Sequence, residues 1–220
     1  MGCGPVAADG VFGKKTADAI KDFQSRHCDV QGNPLVIDSE VGIHTWAGLF
    51  GAGVMPGYVL SPLIVGVLKI AENEIGVCEV PPGSNRGPRV NEYLKCIGLR
   101  PGNAWCAAFV FWCFDMAASK LDIGNPLVKT AGCMEHWRRT TGEKILSVDA
   151  VNDPSLIRPG AVFIINRGGG KGHTGIVVNI RGGYIQTIEG NTNTGLSAEG
   201  GGVCELWRKI NSINAGFILY

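Results

Sequence analysis

The stretch "NAWCAAFVFWCFDMAA", residues 103–118, is a dense apolar run holding two cysteines, Cys106 and Cys113, and two tryptophans, Trp105 and Trp112. Pro101 and Gly102 mark a turn before it, and Asn103 suits an N-cap, so the pattern predicts a helix from about Ala104 to Ala118. Cys106 then falls in the first turn. Free backbone N–H groups and the positive end of the helix dipole favour a thiolate there. Cys113 comes seven residues later on the same face, without that advantage, and reads as core packing. Buried cysteine is also a common small hydrophobe, so the run by itself allows both a nucleophile and an inert core.

The neighbouring segments settle the fold class. Upstream, "LIVGVLKIAENEIGV" has helical spacing through Leu63, Val67, Ile70, Ala71 and Ile75, and "RVNEYLKCIG" reads as a short helix ended by Gly98. Beyond Thr141, "AVFIIN", "HTGIVVNI", "YIQTIEG", "GVCELWRKI" and "AGFILY" are short and β-branched, with glycine-rich turns between them. They read as strands of an antiparallel sheet. Helices followed by a run of strands predict an α+β domain over residues 63–220.

The chain has 220 residues, enough for one or two domains, with 45% hydrophobic and 18% charged residues. Its formal net charge is +1, and the Lys and Arg residues are scattered, so no nucleic-acid surface is expected. The longest apolar stretch, "YVLSPLIVGVLKIA", contains Pro62 and Lys69 and is short for a span, so no stable membrane insertion is expected. The N-terminus has no basic region followed by an apolar one. The expectation is synthesis in the cytoplasm without a signal peptide. The eight cysteines match no small disulfide framework and include no CxxC pair, so most are expected to be buried, reduced and inert. No metal and no cofactor is called for; an accessory ion is left open.

The chain has four histidines. His173, in "GGGKGHTGIVV", opens an apolar strand, a place that holds an imidazole firmly yet accessible to solvent, as a general base requires. His136, in "CMEHWRRT", lines a cleft beside Trp137 or lies on the surface. His27 and His44 read as surface or packing residues. On the next strand, "YIQTIEGNTN", Glu189 and Asn191 are two residues apart and face one side of an extended chain. If the two strands form a hairpin through "RGG", either residue could orient His173.

An internal repeat occupies the N-terminal part. "DGVFGKKTADAI" starts at Asp9 and "DSEVGIHTWAGL" at Asp38. The aspartates suit tight turns, and Thr16 and Thr45 suit helix caps. Ala17, Ile20, Phe23 and Gln24 fall on one helical face. The stretch "DGVFGKKTADAIKDFQ" resembles the peptidoglycan-binding-like module, a small all-α domain. The helix that normally precedes the first repeat is missing, so the module at residues 1–53 is truncated, either a ligand-binding unit or a structural appendage. Residues 54–62, rich in Gly and Pro, read as a linker.

The order of "AWCAAFV", "GHTGIVV" and "IEGNTN" resembles the CHAP family, the cysteine- and histidine-dependent amidohydrolases and peptidases. That resemblance implies a papain-like catalytic domain, helices packed on an antiparallel sheet. "RPGAVFII" is similar to the family's strand before the histidine, except that Ala161 stands where an Asp is usual. Carried over, Cys106 is the nucleophile and His173 its base, with Glu189 or Asn191 orienting the imidazole. The Cys106 N–H would hold the oxyanion. Asn103 is a candidate second donor, since no glutamine precedes the cysteine. Trp105, Asn103, His136 and Trp137 are the candidate substrate-binding residues.

The two resemblances together imply a peptidoglycan hydrolase working through a thioester acyl-enzyme, either an N-acetylmuramoyl-L-alanine amidase or a crosslink endopeptidase. It would act in the periplasm or cell wall after delivery, as a phage lysin or a secreted antibacterial effector, with a delivery apparatus or an immunity protein as possible partners. The alternatives are a non-catalytic wall-binding protein and a papain-like amidase acting on a non-wall substrate.

Overall fold

The computed structural model describes residues 10–29, 33–50, 60–181, 183–193, 195 and 201–220. The chain divides into two units, Met1–Val59 and Leu60–Tyr220. In the N-terminal unit, α1 (Lys14–Arg26) and α2 (Ile43–Phe50) correspond to the two repeats. Gln24 explains the repeat. Its Nε2 donates to Asp38 Oδ1 and the Glu40 carbonyl, both at 2.8 Å, and to Thr45 Oγ1 at 3.1 Å. Its Oε1 accepts from the backbone N–H groups of Asp38 and Ser39, each at 3.0 Å. One buried amide thus satisfies the turn that opens the second repeat. Phe23 is buried beside Gln24, and His27 stacks on Phe23 at 4.0 Å.

The threonines do not cap, contrary to expectation. Gly13 is the N-cap of α1, and Thr16 lies inside the helix, donating to the Val11 carbonyl at 3.4 Å. Thr45 lies inside α2, where it accepts from Gln24. Asp9, most of the linker and Cys3 lie outside the described residues.

The C-terminal unit contains α3 (Pro62–Asn73), α4 (Pro88–Cys96), α5 (Cys106–Lys120), α6 (Cys133–Arg139), β1 (Glu143–Leu146) and α7 (Ser147–Asn152). Five strands follow: β2 (Val162–Gly168), β3 (Lys171–Arg181), β4 (Tyr184–Thr192), β5 (Gly202–Lys209) and β6 (Gly216–Leu219). The six strands form one antiparallel sheet in the order β1-β6-β2-β3-β4-β5, and with seven helices among the described residues the fold is α+β. The end of the expected linker belongs to α3: Ser61 accepts from the Ile64 N–H at 3.2 Å, and Pro62 occupies the first helical position, where its missing N–H costs nothing. The sequence reading did not single out α6, α7 or β1. Each is seven residues or fewer, too short to show a period.

Both faces of the sheet are covered. Val162, Ile164, Ile176 and Ile188 pack with Ile64, Val67, Phe109 and Phe114 in one core. Phe163, Val177, Ile185 and Phe217 pack with Ala150, Ile157 and Ile213 in the other. Burial on both sides is why these strands read as nearly continuous apolar runs. Each fully buried Phe or Ile contributes roughly 1.5–3 kcal/mol. At Gly190, a Cβ would lie 2.7 Å from Phe109 Cβ and from Trp105 Cζ3. Glycine therefore lets β4 lie directly on the first turns of α5.

Most of the seven described thiols are not deeply buried, contrary to expectation. Cys28 and Cys78 are exposed and Cys96 and Cys204 are half-buried, leaving Cys106, Cys113 and Cys133 in the interior. All seven are free. No helix among the described residues is long and apolar enough to cross a membrane.

Candidate active site

α5 begins at Cys106 rather than Ala104, and its N-cap is Trp105, which makes no side-chain capping bond. Asn103 is exposed and donates instead to the Arg100 carbonyl at 2.8 Å. What fixes the helix start is the indole. Trp105 is fully buried, its Nε1 donates to Glu79 Oε1 at 2.8 Å, and its ring stacks on Tyr93 at 5.7 Å. Glu79 is itself buried and also accepts from the Asn85 N–H at 3.0 Å. Trp105 thus anchors the helix and offers no open face to a ligand. Cys106 follows at the first helical position, where its N–H and those of Ala107 and Ala108 have no partner within the helix.

His173 is the third residue of β3 and, contrary to the expectation of an accessible ring, has no exposed surface. Its Nε2 faces Glu189 Oε2 at 2.7 Å. The neutral ring therefore carries its proton on Nε2 and leaves Nδ1 as the acceptor. Nδ1 has no partner of hydrogen-bonding geometry among the described residues, and the Cys106 thiol acts on the ring electrostatically. β3 and β4 form the expected hairpin, with Arg181 opposite Tyr184 and Ile176 opposite Ile188. Gly175 makes the crossing possible: a Cβ there would lie 2.7 Å from Glu189 Cγ and 2.8 Å from Phe163 Cε1.

Glu189 is fully buried and saturated. Besides His173, it accepts from Thr187 Oγ1 at 2.5 Å and from both arms of Arg208, Nε at 2.5 Å and the terminal nitrogen at 2.6 Å. The guanidinium also lies 5.6 Å from the centre of the Phe163 ring. Of the two orienting residues left open by the sequence, Glu189 is therefore the one bonded to the ring. Asn191 makes no bond to the ring. The β4–β5 register shifts between Glu189 and Thr192, and Asn191 has a φ of 57°, so strict alternation ends there. Asn191 is fully buried, and both of its amide atoms lack a partner among the described residues.

The charges follow from these contacts. The Cys106 thiol is held well below its usual range, first by the Cys133 thiol and then by the His173 imidazole and the Ala107 N–H, which together outweigh burial. Burial works against a charged His173, but the Cys106 and Glu189 contacts raise the ring to about 9. Burial also works against the Glu189 carboxylate, yet Arg208 and then His173 keep it charged and below the usual range. These shifts favour a thiolate–imidazolium pair backed by the Glu189 carboxylate and the Arg208 guanidinium. Such a thiolate is a nucleophile without further activation.

Sequence reasoning missed three contributors. Cys133 opens α6, and its Sγ lies 3.8 Å from Cys106 Sγ. Contact with the Cys106 sulfur, together with burial, pushes its own thiol far up, so Cys133 is the S–H donor of the two. Arg208 and Thr187 complete the shell of Glu189. Arg208 had a signal: Leu206 and Arg208 are buried while Glu205, Trp207 and Lys209 are exposed, and a cation in the inward phase of a strand needs a buried anion. Cys133 had none, because a helix of seven residues brings it in through space.

His136 and Trp137 lie on α6, the helix that Cys133 opens, and have partners of their own. His136 is buried, bonded through Nε2 to the Tyr220 hydroxyl at 2.6 Å, and lowered to about 4 by burial. Trp137 is half-buried, with Lys144 Nζ 5.5 Å from its ring centre. Among the described residues, no group of three or more His, Cys, Asp or Glu side chains could hold a metal ion.

A thiolate at a helix start, an imidazole on the adjoining sheet and a buried carboxylate behind it make the arrangement of a cysteine- and histidine-dependent hydrolase. The family model of the CHAP domain, a domain of amidohydrolases and peptidases, matches residues 99–191. The matched span includes Cys106, His173, Glu189 and Asn191 and ends before Arg208. No curated protein and no solved structure matches the chain.

Proposed function

We propose that the C-terminal unit hydrolyses an amide bond of peptidoglycan, with Cys106 as nucleophile, His173 as acid and base, and Glu189 as the residue that orients the ring. The observation that carries this reading is the buried His173–Glu189 pair, with Glu189 Oε2 2.7 Å from the imidazole, together with the Cys106 thiol at the start of α5. The Cys106 sulfur attacks the amide carbon, and the C=O electrons move onto oxygen. Backbone N–H groups in the first turn of α5 stabilise that charge. Collapse breaks the C–N bond, and His173 gives its Nδ1 proton to the departing amine. The thioester is then hydrolysed by a water from which His173 takes a proton, restoring the imidazolium and the thiolate.

Asn191 supports the same reading. A buried amide with neither atom paired is costly unless a ligand completes it. On this proposal its amide faces the bound peptide. The N-terminal unit, with its repeat tied by Gln24, adds a wall-binding role, and the site of action is the periplasm or cell wall after delivery.

The test is digestion of purified peptidoglycan followed by mass spectrometry of the released fragments. Free lactyl ends on the glycan with intact stem peptides identify an amidase, and cleaved stems or crosslinks identify an endopeptidase. Equal fragment patterns from the wild type and Cys106→Ala would sink the proposal.

A further inference from the structure

We propose that Cys133 forms a reversible disulfide with Cys106, so that hydrogen peroxide locks the site and a dithiol reopens it. The two sulfurs are 3.8 Å apart, and each cysteine occupies the first position of its helix, α5 or α6. A disulfide needs about 2.05 Å between sulfurs, so the two atoms have less than about 2 Å to close.

Cys133 is also held in place. At Gly172, one residue before His173, a Cβ would lie 2.9 Å from Cys133 Cβ and 2.7 Å from the Ile165 carbonyl oxygen. The bare glycine backbone therefore seats the first turn of α6 against the strand that carries the imidazole. Both sulfurs belong to buried residues, with Cys106 5% and Cys133 4% exposed. A small oxidant can reach them where a protein disulfide cannot.

The chemistry balances in two steps. The Cys106 thiolate attacks hydrogen peroxide: an S–O bond forms, the O–O bond breaks, and hydroxide leaves. Cys106 is now a sulfenic acid, oxidised by two electrons. The Cys133 sulfur then attacks the Cys106 sulfur; the S–S bond forms, the S–O bond breaks, and the departing hydroxide takes the Cys133 proton to leave as water. A neighbouring thiol at this distance outruns a second peroxide, so Cys106 escapes irreversible sulfinic oxidation. An external dithiol returns both thiols. The loss of hydrolysis rests on Cys106 being the nucleophile, whereas the bond itself does not.

The experiment treats the full chain with hydrogen peroxide, blocks remaining thiols, and maps peptides without reduction. The expected result is a linked Cys106–Cys133 peptide pair, with wall hydrolysis lost and then restored by dithiothreitol. Cys133→Ala, compared with its own untreated activity, should lose hydrolysis irreversibly and carry sulfinic acid at Cys106. A wild type in which Cys106 becomes sulfinic while Cys133 is blocked as a free thiol overturns the proposal. So does equal recovery of wild type and Cys133→Ala after dithiothreitol. If the reduced chain hydrolyses no wall yet the linked pair forms, the disulfide stands and the functional reading fails.

Discussion

Cys106 and Cys113 lie on one helix, seven residues apart, and both are buried. Cys106 opens the helix, where Cys133, His173 and the Ala107 N–H hold its thiol well below the usual range. Cys113 sits in the aromatic core, where burial and then the charge of Glu74 push its thiol well above it. The same group on the same helix thus favours its anion at one end and its neutral form in the middle. Burial does not choose between them; the number of donors aimed at the sulfur does.

The sharpest way to break that contrast is to remove each thiol. Cys106→Ala should lower peptidoglycan hydrolysis by at least about 10³-fold while the thermal transition stays close to wild type. Cys113→Ala should keep the activity and lose about 1–2 kcal/mol in urea unfolding, as a small cavity does. A Cys113 variant that is inactive but fully folded would reverse the assignment.

Arg208 tests what holds the charged end. Arg208→Met leaves Glu189 buried without its bidentate partner, so a stability loss of about 3–5 kcal/mol is expected from urea titration. A variant as stable as wild type would mean that Thr187 and His173 suffice for the carboxylate. Gly175→Ala asks the same question by crowding, since the new methyl meets Glu189 Cγ at 2.7 Å. Its expected cost is about 1–3 kcal/mol, with a larger loss in turnover than in thermal stability.

The pH profile is a gentler probe. The His173 ring is raised to about 9, and its charged form serves the leaving amine, so kcat/KM should fall as pH climbs through about 9. Because Cys106 is lowered, the acid limb should lie well below the ordinary thiol range. An activity that first appears above pH 8.5 would show an ordinary thiol at Cys106. Iodoacetamide gives the smallest but most direct reading: at pH 6 it should label Cys106 and leave Cys113 untouched in the folded chain.

Some of this was legible in the sequence because it is local. Apolar spacing and turn residues placed α3, α4, α5 and the strands β2 to β6. The helix start separated Cys106 from Cys113. The glycine-rich turn before His173 and the short "RGG" connection made the β3–β4 hairpin readable, and with it the approach of Glu189 to His173. Even that local reading did not foresee the irregularity between Glu189 and Thr192, where Asn191 takes a φ of 57°.

What the tertiary structure alone decided lies in contacts between segments far apart in the chain. Arg208 reaches Glu189 across two strands, Cys133 reaches Cys106 between two helix starts, and Glu79 grips Trp105 from a loop before α4. Periodicity shows that a residue points inward but not what it meets there. The residue types and their order name the chemistry by themselves. The charges that make the chemistry possible depend on distances of a few ångströms, which only the packed fold sets.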